Sequence, residues 1–177
     1  MTSEIVPKTQ SISVSRLKQE ICYDAVTGDL SWARDGVRKK AGGKTGSLSH
    51  GYVCVHIDGV SFMAHRIAWA LHYGEFPKKD LDHINGIKSD NRILNLRLAS
   101  EVENGYNIPK KTTNKSGFKG VYKCHQTGKW SAECVVNKRK HWLGRFDSAK
   151  DAGVAYEEFA KKNHGAFFFS GSYGDAS

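Results

Sequence analysis

An acid and an imidazole stand side by side at Asp82 and His83, and amides and arginines follow within a short window. Because successive side chains of an extended strand point to opposite faces, this pair meets one phosphate only by flanking it. Such a pair suits a metal ligand beside a general base. Asp82 would supply a hard oxygen for Mg²⁺ or Mn²⁺, and neutral His83 would take a proton from water near neutral pH. This division of labour is the central hypothesis about the chain.

The same window also has a purely structural interpretation. Asn85-Gly86 and Asp90-Asn91 are typical of turns, because Asn and Gly readily adopt positive φ. On that interpretation the window would be two tight turns without chemistry.

The spacing of the later polar residues favours the chemical interpretation. Asn95 lies twelve residues after His83, and Asn104 lies nine residues after Asn95. Ser100 and Glu103 form a capping box, which places Asn104 in the first turns of a helix. A hairpin, a loop and a capped helix in this order make a ββα-metal arrangement.

The run D-H-I-N-G-I-K-S-D-N-R-I-L-N-L-R at residues 82–97, followed by S-E-V-E-N, resembles the HNH endonucleases of phages and intron homing enzymes. The resemblance implies that Asp82 and Asn104 are metal ligands and that His83 is the general base. It implies that Asn95 fixes the loop and orients the His83 ring. It further implies one Mg²⁺ or Mn²⁺ per site and double-stranded DNA as the substrate. The chain has Asp before the base and Asn at the third position, where the commonest pattern has His, which weakens the case for Zn²⁺ more than the case for cleavage.

The string A-H-R-I-A-W at residues 64–69 resembles the segment that precedes the nuclease hairpin in these phage enzymes. It makes His65 a secondary catalytic candidate and Arg66 a candidate for DNA contact near the scissile phosphate. Arg92 and Arg97, inside the window, are further candidates for DNA contact. The alternative for His65 is a histidine that is only packed or solvated on its helix.

The composition indicates a basic, folded protein. Its 177 residues carry a formal net charge of +9, with 39% hydrophobic and 11% aromatic residues. This charge implies a polyanionic partner, usually nucleic acid, although a membrane surface would attract the same charge. Four cysteines without a C-x-x-C pair, the lack of an apolar leader and the lack of a bilayer-length apolar run predict a soluble protein with reduced thiols. We expect a cytoplasmic monomer or weak dimer, in the host cytoplasm if a phage encodes it.

Hydrophobic periodicity and turn residues predict the elements around the window. In the N-terminal half these are a helix over 14–23, a strand over 30–32, a hairpin of 52–57 and 60–63 across Asp58-Gly59, and a helix over 64–73 closed by Gly74. The basic, glycine-rich segment 36–44 is either a solvated loop or an arm that touches phosphate.

The C-terminal half predicts three strands, over 117–124, 129–136 and 140–146, and a final helix over 148–163. Its runs F-K-G-V-Y from Phe118, G-K-W from Gly128, H-W-L-G from His141 and F-D from Phe146 resemble the plant ethylene-response-factor (Apetala-type) DNA-binding domain. The resemblance implies a sheet that lies in the major groove, with the following residues on or near DNA: Lys119, Tyr122, Lys123, Lys129, Trp130, Glu133, Lys140, Trp142 and Arg145. Lysines replace most of the plant arginines, so we expect affinity and placement more than sequence selectivity. The alternative for Trp130 and Trp142 is that they pack the sheet on its helix.

These inferences predict an α+β protein of two modules. The predicted order is an HNH nuclease domain at 13–108 with its ββα-metal core at 80–107, a linker at 109–116, and an Apetala-type domain at 117–170. The predicted function is metal-dependent endonucleolytic cleavage of DNA by a homing-type phage enzyme. The alternative is a non-catalytic DNA-binding regulator on a degenerate HNH scaffold.

Overall fold

The computed structural model describes residues 12–108 and 113–168 and divides the chain into two compact units, Met1–Leu98 and Ala99–Ser177. Each unit combines short helices with small sheets, which confirms the predicted α+β class. Residues 109–112 of the predicted linker and residues 169–170 of the predicted C-terminal domain lie outside the described residues. In the described part of the chain, no helix has the length and apolar character needed to cross a bilayer.

The first unit contains two helices and three small sheets. Its elements in chain order are α1 (Val14–Glu20), β1 (Ile21–Tyr23), β2 (Leu30–Trp32), β3 (Ser47–Ser49), β4 (Tyr52–Ile57), β5 (Val60–Met63), α2 (Ala64–Tyr73), β6 (Asp80–His83), a 3-10 helix (Ile93–Asn95) and β7 (Leu96–Ala99). β1 pairs with β2, β4 lies between β3 and β5, and β6 pairs with β7.

The hairpin and helix before the window form as predicted. Asp58 and Gly59 make a two-residue turn with φ of 50° and 78°, the backbone that such hairpins require. α2 begins directly after β5 and ends where Gly74, at φ 79°, donates its backbone N–H to the carbonyl of Ala70. These local signals therefore fix both ends of α2.

The first helix is shorter than predicted. It begins after Ser13, whose side chain accepts from the backbone N–H of Arg16, and it ends at Glu20 rather than Tyr23. Ile21–Tyr23 pairs with β2 instead, with Ile21 opposite Trp32. The prediction of a helix over 14–23 was wrong at its end because this pairing buries Ile21 in the core, a tertiary effect that helical periodicity does not report.

One apolar core holds the first unit together. Its most deeply buried members come from α1, β1, β2, the β4–β5 hairpin and α2, namely Leu17, Ile21, Leu30, Val55, Ile57, Phe62, Ala64 and Ile67. α2 packs against both α1 and the β4–β5 hairpin, so its polar face is held in a fixed position.

The second unit contains a three-stranded antiparallel sheet covered on one face by a helix. Its elements are α3 (Glu101–Tyr106), β8 (Val121–Lys123), β9 (Trp130–Val136), β10 (Arg139–Phe146), α4 (Ala149–His164) and a 3-10 helix (Gly165–Phe167). The strand order is β10-β9-β8, with α4 packed on all three strands. Its core is small and comprises Val121, Ala132, Cys134, Ala152, Tyr156 and Ala160.

A glycine permits the close approach of strand and helix in this unit. Gly120 has φ 70°, and a Cβ there would lie 2.3 Å from the carbonyl oxygen of Glu133 and 2.4 Å from the Tyr156 ring. No side chain fits at this position, so Gly120 is needed for α4 to pack on the sheet.

The predicted capping box is present at the start of α3. The Ser100 side chain accepts from the backbone N–H of Glu103 at 3.3 Å, and Glu103 Oε2 accepts from the backbone N–H of Ser100 at 2.7 Å. A six-residue helix is marginal alone, so this cap is an important part of its stability.

Candidate functional site

β6 ends in the predicted pair, and both side chains are buried, with 9% of Asp82 and 4% of His83 exposed. Asp82 Oδ2 accepts two hydrogen bonds from Arg97 on β7, at 2.7 Å from Nε and 2.5 Å from Nη2. The acid therefore has a guanidinium partner within its own unit. Arg97, predicted to contact DNA, is the residue that holds Asp82.

The His83 ring contacts a buried amide. Its Nε2 lies 3.3 Å from Oδ1 of Asn91. In the tautomer that donates to this oxygen, the proton is on Nε2 and the lone pair of the neutral ring is on Nδ1. Burial lowers the pKa of His83, although the Asn91 bond and the neighbouring Asp82 oppose that change. The ring is therefore neutral at neutral pH, which is the state that a general base requires.

Two aromatic rings from other elements surround His83. The His65 ring on α2 meets it edge-on with ring centroids 5.2 Å apart, and the Tyr52 ring on β4 lies 6.1 Å from His83 and 5.6 Å from His65. Burial, followed by the neighbouring His83, lowers the pKa of His65 to about 3. The His65 Nδ1 is buried and has no hydrogen-bond partner within the described residues. The structure thus brings together His65 and His83, and it adds Tyr52, which no local sequence signal had indicated.

Asn95 fixes the loop between β6 and β7. Its Oδ1 accepts from the backbone N–H of Asn85 at 3.0 Å, and its Nδ2 donates to the carbonyl of Asp90 at 2.8 Å. These bonds are to loop backbone, whereas the amide bond to the His83 ring comes from Asn91. The predicted role of Asn95 in orienting His83 stays a prediction.

A distant turn supports the residue that contacts His83. Tyr23 donates its hydroxyl to the carbonyl of Asn91 at 2.8 Å, and the backbone N–H of Ile93 donates to the carbonyl of Ala25. Gly28 lies so close to this segment that a Cβ would be 2.5 Å from the backbone nitrogen of Arg92. The turn after β1 therefore fixes the backbone of Asn91, and this support has no local sequence signal because the contacts are long-range.

The other two arginine candidates, Arg66 and Arg92, differ in exposure and in their hydrogen-bond partners. Arg66 on α2 is half-buried, and its Nη2 lies 3.4 Å from the carbonyl of Pro77. Arg92 is exposed and binds Asp90 through both Nε and Nη2, at 2.8 Å and 2.5 Å. The hydrogen bond from the Arg92 guanidinium is the largest of the causes that lower the pKa of Asp90, so this carboxylate stays ionised. Arg92 thus remains at the surface, whereas Arg66 is partly enclosed.

Asn104, the second predicted metal ligand, lies on α3 in the second unit. Its backbone N–H donates to the carbonyl of Ser100 at 2.9 Å, and its own carbonyl accepts from Asn107. Its side chain is half-buried. Its role as a ligand stays a prediction.

The donor types at the predicted metal ligands fit a hard divalent cation. No group of three His, Cys, Asp or Glu side chains suited to a metal occurs in the described residues. The buried Asp82 carboxylate and the Asn104 amide offer oxygen ligands, which Mg²⁺ and Mn²⁺ prefer. A cation at Asp82 would compete with Arg97 for the carboxylate.

The sheet of the second unit leaves one face open. Residues directly opposite each other in antiparallel strands share a face, and Trp142 pairs with Glu133 while Lys140 pairs with Val135. The predicted DNA-contacting residues on this open face are Tyr122, Glu133, Lys140, Trp142 and Arg145. Trp142 is 62% exposed, and Tyr122 donates its hydroxyl to Glu133 at 2.7 Å. This arrangement is a basic and aromatic surface.

The remaining predicted DNA contacts lie elsewhere in the second unit. Trp130 packs against the core below α4, and Lys123 lies over its ring at 5.7 Å. Lys119 donates to the carbonyl of Tyr106 at 2.8 Å, and burial lowers its pKa to about 8. Lys129, directly before β9, pairs with Asp147, directly after β10. For Trp130 the packing alternative therefore describes its position, whereas Trp142 stays exposed.

Residues 62–106, which include β6, β7 and the proposed catalytic pair, match the family model of HNH endonucleases. The match spans 45 of the 177 residues.

Curated relatives each match a part of the chain. The chain is 31% identical over 78 residues to Protein 3.8 of Escherichia phage T7, which covers 44% of this chain and 64% of that protein. It is 41% identical over 66 residues to the ethylene-responsive transcription factor ERF084 of Arabidopsis thaliana, covering 36% of this chain and 24% of that protein. A second Arabidopsis protein, an AP2/ERF and B3 domain-containing transcription factor, is 40% identical over 50 residues, covering 28% of this chain and 14% of that protein. The chain thus spans a quarter or less of the two plant relatives and under two thirds of the phage relative. No solved structure matches the chain significantly.

Proposed function

We propose that the protein is a metal-dependent DNA endonuclease of the phage homing type, which hydrolyses phosphodiester bonds with one Mg²⁺ or Mn²⁺ per site. The observation that carries this proposal is the buried, neutral His83, in contact with Asn91 through Nε2, directly after Asp82. The HNH family match over residues 62–106 supports it.

In this mechanism His83 is the general base. Its Nδ1 takes a proton from the water that attacks phosphorus, and the break leaves 3′-hydroxyl and 5′-phosphate ends. A positioned base of this kind contributes roughly 10²–10⁴-fold to the rate. Asn91 keeps the ring in the productive tautomer, while the rings of His65 and Tyr52 keep bulk water away from its edge. Catalysis by His65 itself remains a secondary prediction.

Asp82 and, by resemblance, Asn104 would hold the metal ion. When bound, such an ion stabilises the charge that develops on the phosphate and the leaving oxygen, which is worth several kcal/mol. Arg97 would then be released from Asp82 to contact a phosphate, as predicted for it from the sequence. With a single site per chain, a monomer would cut one strand in each encounter, and a double-strand break would need a dimer or two successive nicks.

The second unit would bind duplex DNA through its open sheet face. The support is the exposed set of Tyr122, Lys140, Trp142 and Arg145, together with the similarity to plant transcription factors. Lysine charges attract phosphates without reading bases, so this face is expected to supply affinity and placement.

Nicking of supercoiled plasmid tests the proposal. Wild type should nick with Mg²⁺ or Mn²⁺ and not with EDTA, and His83→Ala should lower the rate at least 100-fold while leaving DNA affinity within a few-fold. His56→Ala, a change at an exposed histidine on β4, is the matched control and should nick normally. Nicking by His83→Ala at a tenth of the wild-type rate would remove His83 from the role of base.

A non-catalytic DNA-binding regulator is the second candidate, and one observation favours it. Asp82 is bonded at Oδ2 by Arg97, as expected of a scaffold in which the acid has become a structural partner. A wild-type protein that binds DNA but leaves plasmid intact with either metal would establish this candidate.

A further inference from the structure

A short basic hairpin at residues 34–40 of the first unit is more ordered than its sequence indicates. Gly36 and Lys39 exchange two backbone hydrogen bonds, at 3.0 Å and 3.1 Å, so Val37 and Arg38 form a two-residue tip. The hairpin carries four cations and the single acid Asp35, whose Oδ1 accepts from the backbone N–H of Ala41 at 2.9 Å. The two backbone hydrogen bonds between Gly36 and Lys39 make it a defined turn.

A buried carboxylate holds both arms of this hairpin. Glu20, at the end of α1, is 0% exposed and accepts from Lys39 Nζ at 2.8 Å and from the Arg34 guanidinium. Arg16 bonds the same carboxylate at 2.7 Å, and Lys39 lies over the Trp32 ring at 4.4 Å. The hydrogen bond from Lys39 is the first cause that lowers the pKa of Glu20 to about 2, so Glu20 stays ionised.

The free-energy cost of burying the Glu20 carboxylate indicates that a fixed position of the hairpin is important for function. Burying a carboxylate carries a desolvation penalty that apolar packing would avoid, so such clusters add little net stability. Arg38 adopts φ 60°, a left-handed conformation that Gly or Asn adopts more easily. A large cationic side chain thus stands where the backbone favours a small one.

The tip presents its groups to solvent. Val37 is 90% exposed, and Arg38 and Lys40, the two cations of the hairpin that do not bind Glu20, are exposed as well. Neither Arg38 nor Lys40 has an ion-pair partner among the described residues. An ordered turn with two unpaired cations loses little conformational entropy when it binds an anionic surface.

We propose that the hairpin of residues 34–40 is a second DNA-binding element, in which Arg38 and Lys40 bind phosphates of duplex DNA and Val37 packs on the adjoining deoxyribose. DNA as the partner rests on the proposed function. The hairpin has one exposed apolar side chain, too few to insert into a bilayer, so the polyphosphate backbone fits it better than a membrane surface.

The salt dependence of DNA binding tests this element without any cleavage. The test variant is Arg38→Gly with Lys40→Ala, in which Gly suits the backbone at φ 60° and the fold should keep its melting temperature. The control is Lys161→Ala with Lys162→Ala on α4, which removes the same charge from an exposed helix end. Binding to a random-sequence 30-base-pair duplex would be measured by fluorescence anisotropy in EDTA from 50 to 300 mM salt.

The hairpin variant should show a log–log salt slope flatter by about 1.8, since each phosphate contact contributes about 0.9, and a roughly tenfold weaker affinity near 100 mM salt. The control slope should match wild type. Equal slopes for wild type and the hairpin variant would overturn the proposal, as would a wild type that binds vesicles of anionic lipid but not the duplex. A wild type that never nicks plasmid yet shows the slope change would refute the nuclease and retain the hairpin.

Discussion

Tyr106, the last residue of α3, anchors this helix to the rest of the second unit. Its ring stacks on His164 of α4 with centroids 3.8 Å apart and an interplanar angle of 7°. Its hydroxyl donates to Asn137 Oδ1 at 3.2 Å and accepts from the backbone N–H of Asn137 at 2.8 Å. Its carbonyl accepts from Lys119. α3 has only six residues, so these contacts should decide whether it stays formed.

The expected losses of free energy distinguish the contribution of the Tyr106 hydroxyl from that of its ring. Tyr106→Phe removes both hydroxyl bonds, but Asn137 is exposed and water can replace them, so the loss should be about 1 kcal/mol. Tyr106→Leu also removes the stacked pair, worth about 0.5–1.5 kcal/mol, and part of the buried ring, for a total of about 3 kcal/mol. Since a tenfold change in an equilibrium constant corresponds to about 1.4 kcal/mol, local opening should increase about fivefold and about 150-fold.

Amide hydrogen exchange measures this opening directly. The backbone N–H of Asn104, bonded to Ser100, should exchange faster in the order wild type, Tyr106→Phe, Tyr106→Leu. Tyr122→Phe, which removes a hydroxyl bond at an exposed strand position, is the control and should leave this amide unchanged. If Asn104 holds the metal, Tyr106→Leu should also need more Mg²⁺ for nicking. An unchanged exchange rate in Tyr106→Leu would refute the anchoring role.

Arg97→Gln leaves the buried Asp82 carboxylate without its guanidinium and should cost about 3 kcal/mol in metal-free protein. Mn²⁺ should then raise the melting temperature of this variant more than that of wild type, and equal shifts would argue against Asp82 as a ligand. Glu20 has a folded-state pKa of about 2 against 4.5 unfolded, so its contribution is complete above pH 4.5 and is lost as the pH falls toward 2. The melting temperature of Glu20→Gln should therefore depend less on pH in that window, and a parallel dependence would contradict the ion cluster. Deletion after residue 112 removes the partners of Tyr106, so α3 should unfold and nicking should cease; a truncated chain that nicks would show that α3 forms without them.

The sequence predicts well the elements whose ends are marked by turn or capping residues. Asp58-Gly59 between two strand-like runs and Gly74 after a helical stripe act within a few residues, and both gave the observed bounds. The capping box at Ser100 is local in the same way. The predicted end of the first helix was wrong because residues 21–23 pair with β2, a strand that begins nine residues after Ile21.

The residues of the candidate site also fall into two groups, those with a local sequence signal and those without one. Asp82 and His83 could be found because they are adjacent in a recognisable run, and His65 because it stands in a second one. Tyr52 and Asn91 could not, since their positions depend on β4 and on the turn after β1. Trp130 lies on the helix side of the sheet, because it alternates along β9 with residues of the open face and packs against the core, and its contact with DNA stays a prediction.

The pleat of β6 explains how an acid and a neutral imidazole coexist as neighbours in the chain. Successive residues face opposite sides, so Asp82 meets Arg97 on β7 while His83 meets Asn91 and the ring of His65. The neighbouring Asp82 carboxylate raises the pKa of His83, but burial lowers it and is the larger cause. The strand thus gives the two side chains different partners: the carboxylate bonds a guanidinium and the imidazole contacts an amide. The extended backbone at residues 80–83 thereby leaves His83 neutral beside a carboxylate, which is the state that the proposed general base needs.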